Sequence, residues 1–295
     1  MFIRKISITI FNLLLLSAMA TGTVSAAENK KTIDYVALGD SLAAGQKPTE
    51  LGSGSTKVYG TSYPKFIRDE LSGKGLLSSY ANFGESGKTT QTVLEPVTGG
   101  DRAKLVEAIQ EADVITLNIG ANDLLSWVQM DDVGLSNLTK TDLANWLYTQ
   151  NYQGDIAPTI QGIRGYIPTV TYLVVQKILE IRAMEDSAGK PYAQIYIMGY
   201  YNAFPFLADL GVNDPDDPNK IPLLQADLDG LIQDYNLSLS NLPDTMPSVT
   251  YVDPYDSMDK HLEKFLPIDI HPTVQGYRAI AQVFWDAMEP TLVTE

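Results

Sequence analysis

Ser41 stands in Gly39-Asp40-Ser41-Leu42, immediately after the short apolar run Tyr35–Leu38. A serine just past a buried strand, at the start of a helix, points its hydroxyl over the sheet edge. The same helix start offers unpaired N–H donors to a developing oxyanion. Such a serine also makes an ordinary helix cap, so it needs a partner before it means chemistry. The chain holds 2 histidines. His261 falls in the charged stretch Met258–Phe265 and reads as a surface residue. His271 falls in Pro267-Ile268-Asp269-Ile270-His271-Pro272, a loop before the last helical pattern, and is the candidate base. Asp269 is two residues upstream, and in an extended segment the two side chains share a face. A carboxylate there can hold the imidazole tautomer, as the third member of a triad does. The nucleophile elbow G-x-S-x-G is not matched, because Ala43 takes the place of its last glycine.

A second stretch invites different chemistry. Residues 84–89 read GESGKT, the ending of the phosphate-binding loop G-x-x-x-x-G-K-[ST]. The opening glycine of that pattern is missing, since Asn82 occupies its place. A nucleotide-binding phosphohydrolase therefore explains only Gly87-Lys88-Thr89. A third reading, a non-catalytic binding protein, gives no reason for serine, asparagine and histidine to meet at one edge.

The elements that must position these residues alternate. Tyr35–Leu38, Val114–Leu117, Ile195–Met198 and Val249–Val252 are short, β-branched or aromatic runs that end in glycine, asparagine or aspartate. They read as buried strands, with a weaker one over Ser79–Phe83. Between them lie helical patterns: Ala103–Ala112; Val170, Val174, Ile178 and Ile181; Leu224, Leu228, Leu231, Tyr235 and Leu239; and Ala279 through Ala287. Strands alternating with helices predict an α/β fold: a three-layer α/β/α sandwich on a flavodoxin-like parallel sheet of about five strands. Ligands in such sheets bind at the carboxyl ends of the strands, where the polar endings fall. An insertion after the third strand, about 124–160, carries Trp127, Trp146 and Tyr148. It reads equally as a lid or acyl-binding wall and as a helical hairpin packed on the core.

Residues 1–26 have a basic start, an apolar run and small residues at Val24-Ser25-Ala26, the pattern of a secretory signal peptide. A secreted protein of one domain, residues 27–295, is expected. The net charge of −15 repels nucleic acid and anionic membranes, and no stable membrane insertion is expected. With 0 cysteines, an exported chain must rest on its core rather than on disulfides. Asn213–Pro218 lacks the spacing of a calcium loop and reads as a solvated turn.

Four separated blocks are similar to the SGNH/GDSL hydrolase family of esterases and lipases, in the family order and over nearly the whole chain past residue 26. They are Gly39-Asp40-Ser41-Leu42, Asn82 with Ser86-Gly87, Gly120-Ala121-Asn122-Asp123, and His271-Pro272. The resemblance implies a serine hydrolase that cleaves carboxylic esters through an acyl-enzyme. Ser41 would be the nucleophile and His271 the base, with an oxyanion hole of the Ser41 and Gly87 N–H groups and the Asn122 amide. It implies no cofactor and no metal. The substrate would be a small-molecule or lipid ester, with carbohydrate O-acetylesterase and lysophospholipase or thioesterase as alternatives on the same fold, and the protein would act as a monomer. One position departs from the family. The acid usually stands three residues before the histidine, where this chain has Ile268. Either the loop bends to bring Asp269 onto the ring nitrogen, the reading preferred here, or a backbone carbonyl near Ile268 holds the ring. Lys88, without a phosphate to bind, is expected to be a surface charge whose removal leaves activity intact.

Overall fold

The structure is a computed structural model that describes residues 32–48, 57–127, 156–183, 193–203, 220–258 and 269–292. Residues 1–26, His261, Trp146, Tyr148, Ile268 and Asn213–Pro218 lie outside the described residues, as does 128–155 of the expected insertion.

Five strands and nine helices follow one another among the described residues. The order is β1 (Ile33–Gly39), α1 (Ser41–Ala44), α2 (Tyr63–Gly73), β2 (Leu77–Asn82), α3 (Arg102–Glu111), β3 (Val114–Asn118) and α4 (Ala121–Trp127). Then come α5 (Ile156–Ala183), β4 (Gln194–Met198), α6 (Lys220–Ser240), α7 (Leu242–Thr245), β5 (Val249–Val252), α8 (Tyr255–Met258) and α9 (Val274–Leu292). Every strand pair is parallel, and the sheet order is β2-β1-β3-β4-β5. That is the flavodoxin-like order, in which the chain reverses its direction of winding beside the first strand.

The burial of the strands explains why they form. All five residues of β3 are buried, as they must be in a strand covered on both faces. Side chains alternate between those faces. Val36, Leu38, Ile115, Leu117, Ile195 and Ile197 meet Leu105 and Ile109 of α3, Val174, Val175 and Ile178 of α5, and Leu231 and Tyr235 of α6. On the other side, Tyr35, Ala37, Val114, Tyr196 and Met198 meet Ile67 and Leu71 of α2 and Tyr277, Ile280 and Phe284 of α9. Fully burying one such large side chain contributes about 1.5–3 kcal/mol, so each core holds its helix layer firmly.

Two elements differ most from the sequence reading, each for a local reason. β2 runs from Leu77 to Asn82 rather than over Ser79–Phe83, because pairing with β1 already begins at Ile33 opposite Leu77. As an edge strand it is only partly buried, which weakens its apolar signal. The helix before β4 starts at Ile156, well before the stepping apolar residues, and it contains Pro168. Proline removes a backbone donor. Nearby, the hydroxyls of Thr169 and Thr171 donate to the carbonyls of Gly165 and Ile167, at 2.7 Å and 2.8 Å.

The carboxyl ends of β1 and β3 set the site, and between them there is no room for a side chain at Gly39. Gly39 pairs with Asn118, and a Cβ on Gly39 would stand 2.6 Å from the Asn118 carbonyl oxygen and clash with its side-chain oxygen as well. The substitution Gly39→Ala is therefore expected to destabilise the fold by about 1–3 kcal/mol through overpacking. Urea unfolding should show a lower midpoint at unchanged slope. A wild-type midpoint would mean that the two strand ends part without penalty.

Candidate active site

The turn that carries Ser41 is built by Asp40. Its carboxylate accepts from the Leu42 N–H at 3.0 Å and so caps α1, whose first residue is Ser41. Gly45 closes the single turn in the left-handed region, at φ 81°, and returns its N–H to Ser41 and Leu42. Asp40 is buried and also accepts from Asn118 Nδ2 at 2.6 Å and from the Tyr200 hydroxyl at 3.2 Å. Asn118 in turn accepts from the Tyr63 hydroxyl at 2.8 Å. Burial pushes the Asp40 carboxyl up to about 6, although the bonds from Leu42, Asn118 and Tyr200 and the nearby His271 all pull it down.

The last loop brings His271 onto the serine. His271 Nε2 lies 2.9 Å from Ser41 Oγ, and Nδ1 lies 2.6 Å from Asp269 Oδ1. The same carboxylate oxygen accepts the His271 backbone N–H at 2.8 Å. This double acceptance is how a two-residue spacing closes: the aspartate folds back on the residue whose ring it holds. The Tyr201 hydroxyl pins the turn by donating to the Ile270 carbonyl at 2.7 Å. An Nδ1 proton given to Asp269 leaves the Nε2 lone pair facing the serine hydroxyl, the arrangement of a general base.

The loop after β2 closes the third side. Asn82 accepts from the Gly84 N–H at 2.9 Å and donates to the Ala43 carbonyl at 2.8 Å, binding the loop to α1. The contact leaves no room for a side chain, since a Cβ on Gly84 would be 2.6 Å from Ala43 Cβ. Gly87 has φ 91°, a conformation that favours glycine. Neither its N–H nor that of Ser41 meets an acceptor among the described residues. Asn122, in the first turn of α4, donates to the Lys88 carbonyl at 2.8 Å. Asp123 grips the next residues, accepting from the Thr90 N–H at 2.9 Å and its hydroxyl at 2.6 Å.

Lys88 is not a surface charge. It is 5% exposed, and its ammonium donates to the carbonyls of Glu95 at 2.6 Å and Phe83 at 3.2 Å. Burial lowers its pKa, while the charges of Glu85 and Glu95 raise it. Its stem runs inward and its head ties both ends of the loop together, so a truncation frees the segment that carries Gly87. The ammonium's engagement inside the loop also removes the phosphate reading of Gly84–Thr89.

Beside Ser41 opens an apolar cavity between α4, α5 and α6. Leu124, Ile167, Leu231, Ile232 and the rings of Tyr200 and Tyr235 form its wall. The tyrosine hydroxyls are committed elsewhere: Tyr235 donates to the Ile119 carbonyl at 2.7 Å, and Tyr200 bonds to Asp40 and accepts from the Ala121 N–H at 3.0 Å. The wall therefore offers the carbon frame of the rings rather than free hydroxyls. The sequence reading named Trp127, Trp146 and Tyr148 for such a wall; the Trp127 backbone closes α4, and its side chain and the other two lie outside what is described. It missed Tyr200 and Tyr235, though Tyr200 stands directly at the polar end of β4.

A parallel sheet of this order, with serine, imidazole and carboxylate in a row at its carboxyl edge, defines the class of α/β serine hydrolases. The model of the GDSL-like lipase/acylhydrolase family matches residues 37–279, and the chain belongs to that family and is an ester-hydrolysing enzyme. Among solved structures, a lipase from a goat rumen metagenome superposes with a TM-score of 0.58 at 19% identity, covering 87% of this chain and 97% of that one. The extracellular lipase of Streptomyces rimosus gives 0.54 at 21% identity, covering 86% and 98%. Phospholipase A1 of Streptomyces albidoflavus gives 0.53 at 17% identity, covering 85% and 98%. No curated protein sequence matches significantly.

The raised Asp40 carboxyl has a measurable sign. Its folded value of about 6 exceeds the ordinary 3.8, so the folded state binds the proton more tightly. Its stabilising contribution is full below the unfolded value and is lost as pH rises through the folded one. Asp40→Asn keeps an acceptor for Leu42 and Asn118 but cannot titrate. The stability of wild type relative to this variant should fall between about pH 4 and pH 7. Parallel stability curves for the two proteins would contradict the burial account.

Proposed function

We propose that this enzyme is a secreted serine esterase or lipase that acts through an acyl-enzyme. Ser41 is the nucleophile, His271 the general base, and Asp269 the group that fixes the imidazole. The observation that carries this reading is the unbroken row Asp269–His271–Ser41, with contacts of 2.6 Å and 2.9 Å. As Ser41 Oγ attacks the ester carbonyl, its proton passes to His271 Nε2, and Asp269 stabilises the imidazolium. The carbonyl oxygen becomes an anion facing the N–H groups of Ser41 and Gly87, with the Asn122 amide as the third donor. The tetrahedral intermediate collapses, His271 gives its proton to the leaving alkoxide, and the acyl group stays on Ser41. Water then repeats the sequence and frees the acid. All of these groups are side chains or backbone of the chain itself.

The cavity speaks for an acyl group longer than acetyl, because an acetyl would leave its ring and aliphatic walls facing water. A carboxylic ester with an apolar acyl part is thus preferred over an acetylated sugar. The expected export signal in residues 1–26 and a single domain over 27–295 complete the proposal, and the enzyme works as a monomer.

Hydrolysis of p-nitrophenyl esters tests it. Ser41→Ala and His271→Ala should abolish turnover, Asp269→Asn should lower kcat by about 10⁴-fold, and an organophosphonate should label Ser41. Catalytic efficiency should rise from acetyl to longer acyl esters. A near wild-type rate for Asp269→Asn removes that residue from the row, and a preference for acetyl alone overturns the acyl pocket.

A further inference from the structure

Gln46 belongs to none of the four motif blocks, yet it touches three of them. Its backbone N–H donates to the Ser41 carbonyl at 2.9 Å, just past the nucleophile turn. Its carbonyl accepts the Tyr277 hydroxyl at 2.6 Å, from the helix that follows His271. Its side-chain oxygen accepts the Ser86 hydroxyl at 2.6 Å, one residue before Gly87, and its side-chain nitrogen lies 3.5 Å from His271 Nδ1. Gln46 is buried, and it faces Tyr59 in an isolated antiparallel bridge. The Tyr59 hydroxyl donates to Ser86 Oγ at 3.0 Å, so the Ser86 proton points to Gln46 and fixes which end of the amide is oxygen.

We propose that Gln46 is a positioning residue that holds the Ser86–Gly87 loop and the His271 imidazole at one fixed separation. The inference rests on the reading of His271 as base and Gly87 as oxyanion donor. Nδ1–H donates a hydrogen bond to Asp269 and so has no lone pair to offer, and the Gln46 nitrogen acts on the ring by contact. It covers the ring edge beside the Asp269 bond, where a water molecule would compete for the Nδ1 proton. Base and oxyanion donor must serve the same transition state, and a misplacement of about 1 Å between such groups can cost 10²-fold in rate. Glutamine suits the place because one planar group supplies an acceptor for Ser86 and a neutral end for the ring. The charged groups near the ring are already two carboxylates, Asp269 in contact and Asp40 acting through space. A third would favour the imidazolium.

Steady-state kinetics of the full chain on a p-nitrophenyl ester, with a pH profile of kcat/KM, test the role. Gln46→Ala should lower kcat about ten- to a hundredfold, with KM changed by less than about twofold. Ser86→Ala should lose a comparable factor, and the double variant should lose no more than the worse single one, because both remove the same tie. Gln46→Glu, of equal size, should move the acidic limb of the profile up by about one pH unit. A glutamine held away from the ring would not move that limb, and the kcat-against-KM split with the non-additive double variant tests the positioning itself. An unmoved limb in Gln46→Glu, or losses that multiply in the double variant, overturns the proposal. Absence of turnover in wild type, or full turnover in Ser41→Ala, would instead overturn the reading of the site beneath it.

Discussion

The hydrogen bond from Asn118 to Asp40 is the joint on which the rest of the site depends. It is short, 2.6 Å, and both partners are fully buried at the ends of adjacent central strands. A buried carboxylate left without donors would be strongly unfavourable, so the chain surrounds this one with three. Each donor belongs to a different part of the molecule: the turn that carries Ser41, the third strand and the loop after the fourth. The satisfied carboxylate thereby locks Ser41 in register with β3 and sets Tyr200 as a wall of the cavity. Close approach of the strand ends, which only glycine at position 39 permits, is the condition for that bond to form.

Around this joint the site is assembled by short ties rather than by one rigid element. Asn82 fastens the second loop to α1, Asp123 fastens the same loop to α4, and Gln46 fastens it to the segment after α1, with its amide nitrogen 3.5 Å from the His271 ring. The histidine turn is held independently by Tyr201 and by Asp269. Loops carry the chemistry and the sheet supplies common anchoring points, which is the division of labour expected at the carboxyl edge of a parallel sheet.

The parts of this arrangement that were legible in the sequence are those with a periodic or motif signature. The buried strands announce themselves by apolar runs; Ser41 and Asn122 stand just past the ends of two of them, and His271 in the loop before the last helical pattern. Asp269 was legible as a candidate, and a bend bringing it onto the ring was the preferred reading; what the sequence does not show is the bond that makes the bend, the aspartate accepting the backbone N–H of His271 itself. Tyr235 looked like core, and it is core; its ring also faces the cavity because its hydroxyl is drawn to the Ile119 carbonyl. Gln46 carried no signal at all. A residue whose role is to touch three distant segments has no local pattern, only a position in the folded chain.

Lys88 shows where local reasoning inverts. Loops that bind phosphate and loops that stabilise an oxyanion share a backbone solution, glycines that let N–H groups converge on a negative oxygen. They differ in what the anion does. A phosphate is bound in the ground state and rewards a lysine that reaches out to it as a point charge. An oxyanion exists only fleetingly, and the loop must hold its shape while nothing is bound. Here the lysine reaches back instead, and its ammonium bonds to two carbonyls of its own loop. The same glycine-lysine sequence thus supplies rigidity where a nucleotide loop would supply charge, and the direction of the lysine side chain decides between the two.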